Sequence, residues 1–448
     1  MKTHLLLLVT ALFASALAAD TVFDTPSDEL IFVQAIWRHG DRSPTETFPN
    51  DTYQEKDWPQ GWGQLSALGM QQHVDLGQNL RKRYVDTLKF LSGEYKNHEV
   101  YVRSTDVNRT LISAMSNLIG MYPDGDQDQV PHIPEWPRNA AGKFWVPIAI
   151  HTIDDNVDYT LNPDRTCPYY DQLWSEIEKS DEYLALQKSE SDFFAYLTKN
   201  TGTTVTPSNL WIIADALFIE QTNNLTLPDW ATAVTGNGTY YDKITQINDL
   251  VDKWNNGLGL NKVNGIDMAI EVPKVRGGTL LWSIIGHLQQ KWACYSNSKT
   301  ADCGFFNRLK YYIYSAHDTT VASLFSALGF SRTNYNEDGY PHYSSCVTVE
   351  LWKSSSTGKN YVKFLYWPLV NDKYHTDIED VTGSISGGPI TDIDSLVKRS
   401  QDYKPAPTAA EVCNPNQKKG GNAASTLTPF STAIGFVISF FILRNERA

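Results

Sequence analysis

Between Trp37 and Pro44 the sequence reads WRHGDRSP, which places Arg38, His39 and Arg42 within five residues. Far along the chain Arg103 ends the run EVYVR, and His317-Asp318 follows LKYYIYSA. Guanidinium forks match a tetrahedral oxyanion in charge and geometry, and three of them neutralise a phosphate dianion without a metal. Nearby positive charge disfavours an imidazolium, so His39 is expected to stay neutral and keep a nucleophilic nitrogen. Attack of that nitrogen on phosphorus forms a phosphohistidine and divides hydrolysis into two displacements. Asp318 then serves to protonate the departing alkoxide and to accept a proton from water. His317 donates to the transferring oxygens. The scheme needs no cofactor and no metal.

Residues so distant in sequence need a scaffold that gathers them. Three segments share one plan, a short apolar run, a charged junction and a helix-like pattern. LIFVQAIW (30–37) has the length and residue types of a buried strand. EVYVR (99–103) leads into STDVNRTLISAMSNLIGMYP, where Leu111, Ala114, Met115 and Leu118 recur at helical spacing and Ser104, Thr105 or Asp106 is available as the cap. LKYYIYS (309–315) leads into AHDTTVASLFSALGF, with Val321, Leu324, Phe325 and Leu328 in the same register and Gly329 as a stop. Open α/β sheets bind ligands outside the carboxyl ends of their strands, beside helix N-termini that favour anions. Three such junctions on one sheet edge would bring Arg38, His39, Arg42, Arg103, His317 and Asp318 together. Residues from about 125 to 265 instead alternate short helical patterns with breaks rich in Pro, Asn and Gly, the mark of a mainly helical insert. The sheet is expected to resume near VRGGTLLWSIIGHL (275–288).

The expected class is therefore α/β, a mixed β-sheet flanked by helices with an inserted smaller, mainly helical cap domain. The divisions are a signal peptide at 1–18, α/β parts at 19–125 and 266–404, the cap at 126–265, a linker at 405–425 and a C-terminal segment at 426–448. MKTHLLLLVTALFASALAAD carries the charged start, apolar run and small-residue end of a secretory signal. Near the C-terminus, roughly 18 mostly apolar residues (426–443) precede Arg444 and Arg447, fitting a transmembrane segment with a short basic tail. A removable GPI signal is the competing reading. Five cysteines suit an exported chain. Cys294 and Cys303 are spaced for a small loop, Cys167 and Cys413 for a long one, and the odd count leaves a thiol over. Sequons stand at Asn50, Asn108, Asn224 and Asn237. A formal charge of −13 argues against nucleic acid as a partner. These features place the chain in the secretory pathway, anchored to a membrane with its folded part extracellular, lysosomal or luminal.

WRHGDRSP matches the RHGxRxP signature of the histidine acid phosphatases, and SAHDTT their later HD element. WPQGWGQLSALGMQQHVDLGQNLRKRY (58–84) and VYVRSTDVNRT resemble the same family, most of all the animal prostatic and lysosomal enzymes. The resemblance runs from about residue 30 to 413 and is loosest in the helical lobe. It implies a histidine phosphatase-like fold and hydrolysis of phosphate monoesters at acid pH. It implies the nucleophile at His39, phosphate-binding arginines at Arg38, Arg42 and Arg103, and the His-Asp pair at His317 and Asp318; a homodimer is compatible with it. It also implies a disulfide from the position of Cys346 to one in the lobe that is here Ile219, which makes Cys346 the thiol left over.

The remaining features have plainer readings. Asp41 is expected to brace its loop, and His73, His98, His132, His151, His287, His342 and His375 to be structural or surface residues. Asp124, Asp126, Asp128 and Glu135 imitate a calcium loop, but Gln129 stands where glycine is required. Alternative functions are a phytase-like specialist, a phosphomutase, and an inactive ectodomain that only binds.

Overall fold

The computed structural model describes residues 27–123, 147–297, 303–329, 340–369 and 378–415. The expected signal peptide, the C-terminal segment and the calcium-like run lie outside the described residues.

In chain order, β1 (Glu29–Arg38), α1 (Ala67–Arg81), β2 (Val100–Ser104), α2 (Asn108–Met121) and β3 (Ile150–His151) come first. A helical stretch follows: α3 (Pro168–Ile177), α4 (Asp181–Ser189), α5 (Ser191–Thr201), α6 (Leu210–Thr222), α7 (Asp229–Thr232), the hairpin β4 (Val234–Thr235) and β5 (Gly238–Thr239), and α8 (Tyr240–Asn255). Then come α9 (Met268–Arg276), α10 (Gly278–Ser296), β6 (Tyr311–Ala316), α11 (Asp318–Leu328), β7 (Cys346–Lys353), β8 (Asn360–Trp367), β9 (Glu379–Asp380), α12 (Ile393–Arg399) and α13 (Ala409–Cys413).

The main sheet has the order β3-β2-β6-β1-β7-β8-β9, with the four strands from β3 to β1 parallel and the rest antiparallel. Its register levels the strand ends that matter. Arg38 pairs with Ala316 and Ser104 with Ser315, and the amide of His39 continues the ladder to the carbonyl of Ala316 at 2.9 Å. The residues after β1, β2 and β6 therefore emerge at one rim.

β1 is buried on both faces, as its mainly apolar run requires, and its one polar interior residue, Gln34, donates to the carbonyl of Ile284 at 3.1 Å. Phe32 and Ile36 pack with α10 and α11, whereas Val33, Ala35 and Trp37 pack with α1 and α2. Val321, Leu324, Phe325 and Leu328 are all buried, and Gly329 ends α11 in the left-handed region at φ 71°. On α2 the expected stripe is broken by Met115, which is exposed, and the cap position is Val107, with no side-chain cap.

The stretch 275–288 corrects the sequence reading: it is the end of α9 and the start of α10, with no strand. Leu280, Leu281, Ile284, Ile285 and Leu288 form a helical stripe against the sheet, and a short apolar run does not separate strand from buried helix by itself. The helices of the insert hold their own core, in which Phe193, Leu197, Ile213, Leu217, Ile244 and Ile247 enclose Phe48.

Cys167–Cys413 and Cys294–Cys303 are disulfides, and Cys346 is a buried free thiol. Ile219 is fully buried against Tyr343 and Leu369.

The loop after β1 rests on the first turn of α1 through facing glycines. A Cβ on Gly40 would lie 2.3 Å from the carbonyl oxygen of Gly69, and one on Gly69 would lie 2.2 Å from that of Asp41. Both contacts are backbone, so no side chain can yield. Gly69→Ala is expected to cost about 2 kcal/mol or more of stability and, by displacing His39 and Arg42, on the order of 10²-fold in turnover. Thermal melts with steady-state kinetics check this; a variant equal to wild type in both would show that the loop is not held there.

Candidate active site

The end of β1, the N-terminus of α11 and the first turn of α2 meet at a cavity of about 1260 Å³ whose lining includes Arg38, Arg42, Arg109, Asp318 and Tyr343. His39 and His317 lie buried behind these side chains, their rings 5.5 Å apart. Nδ1 of His39 is 2.8 Å from the carbonyl oxygen of Gly40. A carbonyl only accepts, so Nδ1 carries the proton and Nε2 is left with a lone pair.

Each cationic group has a defined partner. Arg38 reaches Asp318 through Nη2 at 2.7 Å and the carbonyl of Pro341 through Nη1 at 2.7 Å, with its guanidinium 4.2 Å above the ring of Tyr343. Arg42 makes a two-pronged pair with Asp215 on α6, at 2.9 and 3.1 Å. Arg109 places Nη2 3.3 Å from Nδ1 of His317. His317 thus accepts at Nδ1, and its Nε2 donates to the hydroxyl of Thr105 at 3.0 Å, which meets that of Thr110 at 2.8 Å.

The supports sit one layer out. Asp41 is fully buried; its amide donates to Gln72 at 2.7 Å and its carboxylate accepts from Ser66 and, at 3.4 Å, from Asn223 at the end of α6. It braces the loop as expected. His73, also buried, donates from Nε2 to the carbonyl of Arg38 at 3.0 Å.

Arg103 is the sequence-selected residue that the fold does not bring to the cavity. It lies within β2, paired with Tyr314, and its side chain forms an ion pair with the fully buried Asp158. Side chains alternate across a strand, so Arg103 shares a face with Tyr101 rather than leaving by the rim. Arg109 stands at the cavity instead, from the turn of α2 that follows the strand. The signal was in the same motif: a helix that starts at a sheet rim points its first turn at the ligand. Asp215 and Tyr343 carried no motif and were missed.

Burial lowers the pKa of His39 well below the usual 6.5, and Arg109, Arg42, Arg38 and His317 lower it further. Burial and then Arg109 bring His317 to about 3. For Asp318 burial acts upward, but Arg38, Arg42, His317 and the amide of Thr319 outweigh it and hold the carboxyl below its ordinary value. The unliganded site therefore holds two neutral imidazoles and an ionised Asp318. Among the described residues no group of three or more His, Cys, Asp or Glu side chains is arranged to hold a metal ion.

A sequence model of the histidine phosphatase superfamily (branch 2) matches residues 29–367. The lysosomal acid phosphatase of Xenopus laevis is 36% identical over 403 residues, covering 89% of this chain and 82% of that protein. The prostatic acid phosphatase of Bos taurus is 39% identical over 342 residues, 75% of this chain and 77% of that protein. Among solved structures, the phytase of Hafnia alvei aligns with a TM-score of 0.59 at 14% identity, over 87% of this chain and 99% of that one; at that identity the likeness speaks for the fold. The arginine-lined cavity, the histidine behind it and the sequence relatives agree, and the chain belongs to branch 2 of the histidine phosphatase superfamily.

Proposed function

We propose that the chain hydrolyses phosphate monoesters at acid pH through a phosphohistidine on His39, with Arg38, Arg42 and Arg109 as the oxyanion clamp. The observation that carries this is the pairing of three guanidinium groups with a neutral imidazole whose Nδ1 is tied to Gly40 and whose Nε2 is free to attack. A phosphoryl group entering the cavity draws Arg38 from Asp318. Its negative charge then raises the affinity of Asp318 for a proton, which passes to the leaving oxygen as the P–O bond breaks. In the second step the same carboxylate takes a proton from the attacking water. His317, whose Nδ1 accepts from Arg109, holds that guanidinium at the phosphoryl position.

The sign of the pH dependence follows. Asp318 is ionised in the free site, so the proton must arrive with the substrate, whose second ionisation lies near pH ~6. Above that, kcat/KM is expected to fall about tenfold per pH unit; on the acid side, the lowered pKa of His39 postpones its loss to well below 6.5. His39→Ala should abolish turnover and the acid-labile phosphoenzyme trapped by rapid quench. Asp318→Ala should spare activated aryl phosphates and damage alkyl phosphates by ~10²–10⁴-fold more. Equal losses on both classes would leave Asp318 only shaping the site.

A second pair of variants separates Arg109 from Arg103. Arg109→Leu should weaken oxyanion binding and lower kcat/KM by on the order of 10²-fold with the melting temperature kept. Arg103→Leu leaves Asp158 buried without its cation, at a cost of about 3–5 kcal/mol, while the protein that remains folded turns over normally. The reverse outcome would return the phosphate-binding role to Arg103.

Substrate breadth is read from the outer cavity. Its lining includes Asp171 and Asp249, while its Arg276 is already paired with Asp164 and its Arg165 with the carbonyl of Asn162. Such a wall disfavours the remaining phosphates of a polyphosphorylated ring. A simple aryl phosphate should exceed phytate in kcat/KM, with activity surviving extensive chelation because the arginines supply the charge. A preference for phytate would favour the phytase-like reading, and transfer without phosphate release the mutase. No helix among the described residues is long and apolar enough to cross a membrane. The proposed anchor is the segment 426–448, with the folded part extracellular or luminal, as the two disulfides and the lysosomal name of one relative support.

A further inference from the structure

Tyr343 sits against the reactive centre without a part in the scheme above. Its ring is the platform for Arg38, at 4.2 Å, and lies 5.9 Å from the ring of His39 and 5.7 Å from that of Phe218 on α6. The residue lines the cavity yet is only 2% exposed. Its hydroxyl is buried and has no hydrogen-bond partner among the described residues. A buried phenol left unpaired costs free energy, and such orphans are found where a ligand supplies the partner. Tyr343 lines the same cavity as Arg38, Arg42 and Asp215 and carries the Arg38 guanidinium on its ring, which puts the side chain at the arginine-lined end where the phosphoryl group is clamped. Burial, reinforced by Asp215 and Asp41, holds the phenol neutral despite the arginines, and a neutral phenol is a donor.

Resting on the phosphatase reading of this site, we propose that Tyr343 is a substrate-binding residue whose hydroxyl donates a hydrogen bond to a non-bridging phosphoryl oxygen beside Arg42, while its ring fixes the plane of Arg38. The two parts of the side chain act separately. The ring sets the direction of a guanidinium that must leave Asp318 and meet the phosphoryl group. The hydroxyl meets an oxygen that gains charge in the transition state and remains on phosphorus whatever departs.

Tyr343→Phe keeps the platform and removes only the donor. It is expected to lower kcat/KM by about ten- to a hundredfold, the range for a hydrogen bond to a charged group. The loss should be equal for aryl and alkyl phosphates, with an unchanged pH profile and melting temperature. Binding of inorganic phosphate and of vanadate, titrated by calorimetry, should weaken in the same variant. Tyr343→Leu should lose further activity because Arg38 loses its platform. A Tyr343→Phe protein equal to wild type in both turnover and oxyanion binding overturns the proposal, and so does a loss confined to one leaving-group class. A wild-type protein that binds phosphate but releases none from esters would overturn the phosphatase reading alone, since the oxyanion titrations still decide the role of Tyr343. Binding of neither oxyanion by wild type overturns both.

Discussion

A buried imidazole among three guanidinium groups does not hold a proton, and the rest of this site follows from that constraint. His39 has lost its solvation and gained Arg38, Arg42 and Arg109 as neighbours, and both effects favour the neutral ring. The carbonyl of Gly40 then selects the tautomer. What results is an imidazole that stays neutral in acid, where an ordinary histidine is largely protonated, as the proposed attack on phosphorus requires. The backbone exists to preserve this geometry. The ladder from His39 to Ala316 fixes the start of the loop, and the contact of Gly40 with Gly69 fixes its seat.

Three buried arginines at one cavity need counter-charge before substrate arrives, and two carboxylates provide it. Asp318 comes from the sheet rim and Asp215 from a helix of the insert. One positive charge is left over, enough to attract an anion and insufficient to make the empty site fly apart. α6 and the residue that caps it thereby join the insert to the loop after β1 through Asp215 to Arg42 and Asn223 to Asp41, and to the segment before β7 through Phe218 to Tyr343. α6 both lines the cavity, through Trp211 and Phe218, and holds Arg42 through Asp215, so changes in this helix reach both the cavity wall and the placement of an arginine.

Much of this was legible in the sequence, for a physical reason. Strand ends, helix starts and buried runs are local patterns, so LIFVQAIW, the helix after His317 and the stop at Gly329 all read correctly. The cysteine spacings agreed with the pairs formed. What failed needed knowledge of direction or of distant packing. Arg103 was chosen because it ends an apolar run, but register keeps it inside β2 and alternation turns it to the sheet face, where Asp158 receives it. Arg109, six residues on, reaches the rim because it rides the first turn of α2. The run at 275–288 was apolar enough for strand or helix, and packing against the sheet decided for helix. Asp215 and Tyr343 stand in no motif at all; only the fold shows that they touch the arginines.

The central claim is the neutrality of His39, and an NMR titration of its ring nitrogens in the unliganded protein tests it most directly. The account predicts that His39 keeps Nδ1 protonated and Nε2 bare throughout the acid range in which the fold survives, with no midpoint near the ordinary value of about 6.5. A protonation midpoint near that value, or a ring carrying its proton on Nε2, would contradict it.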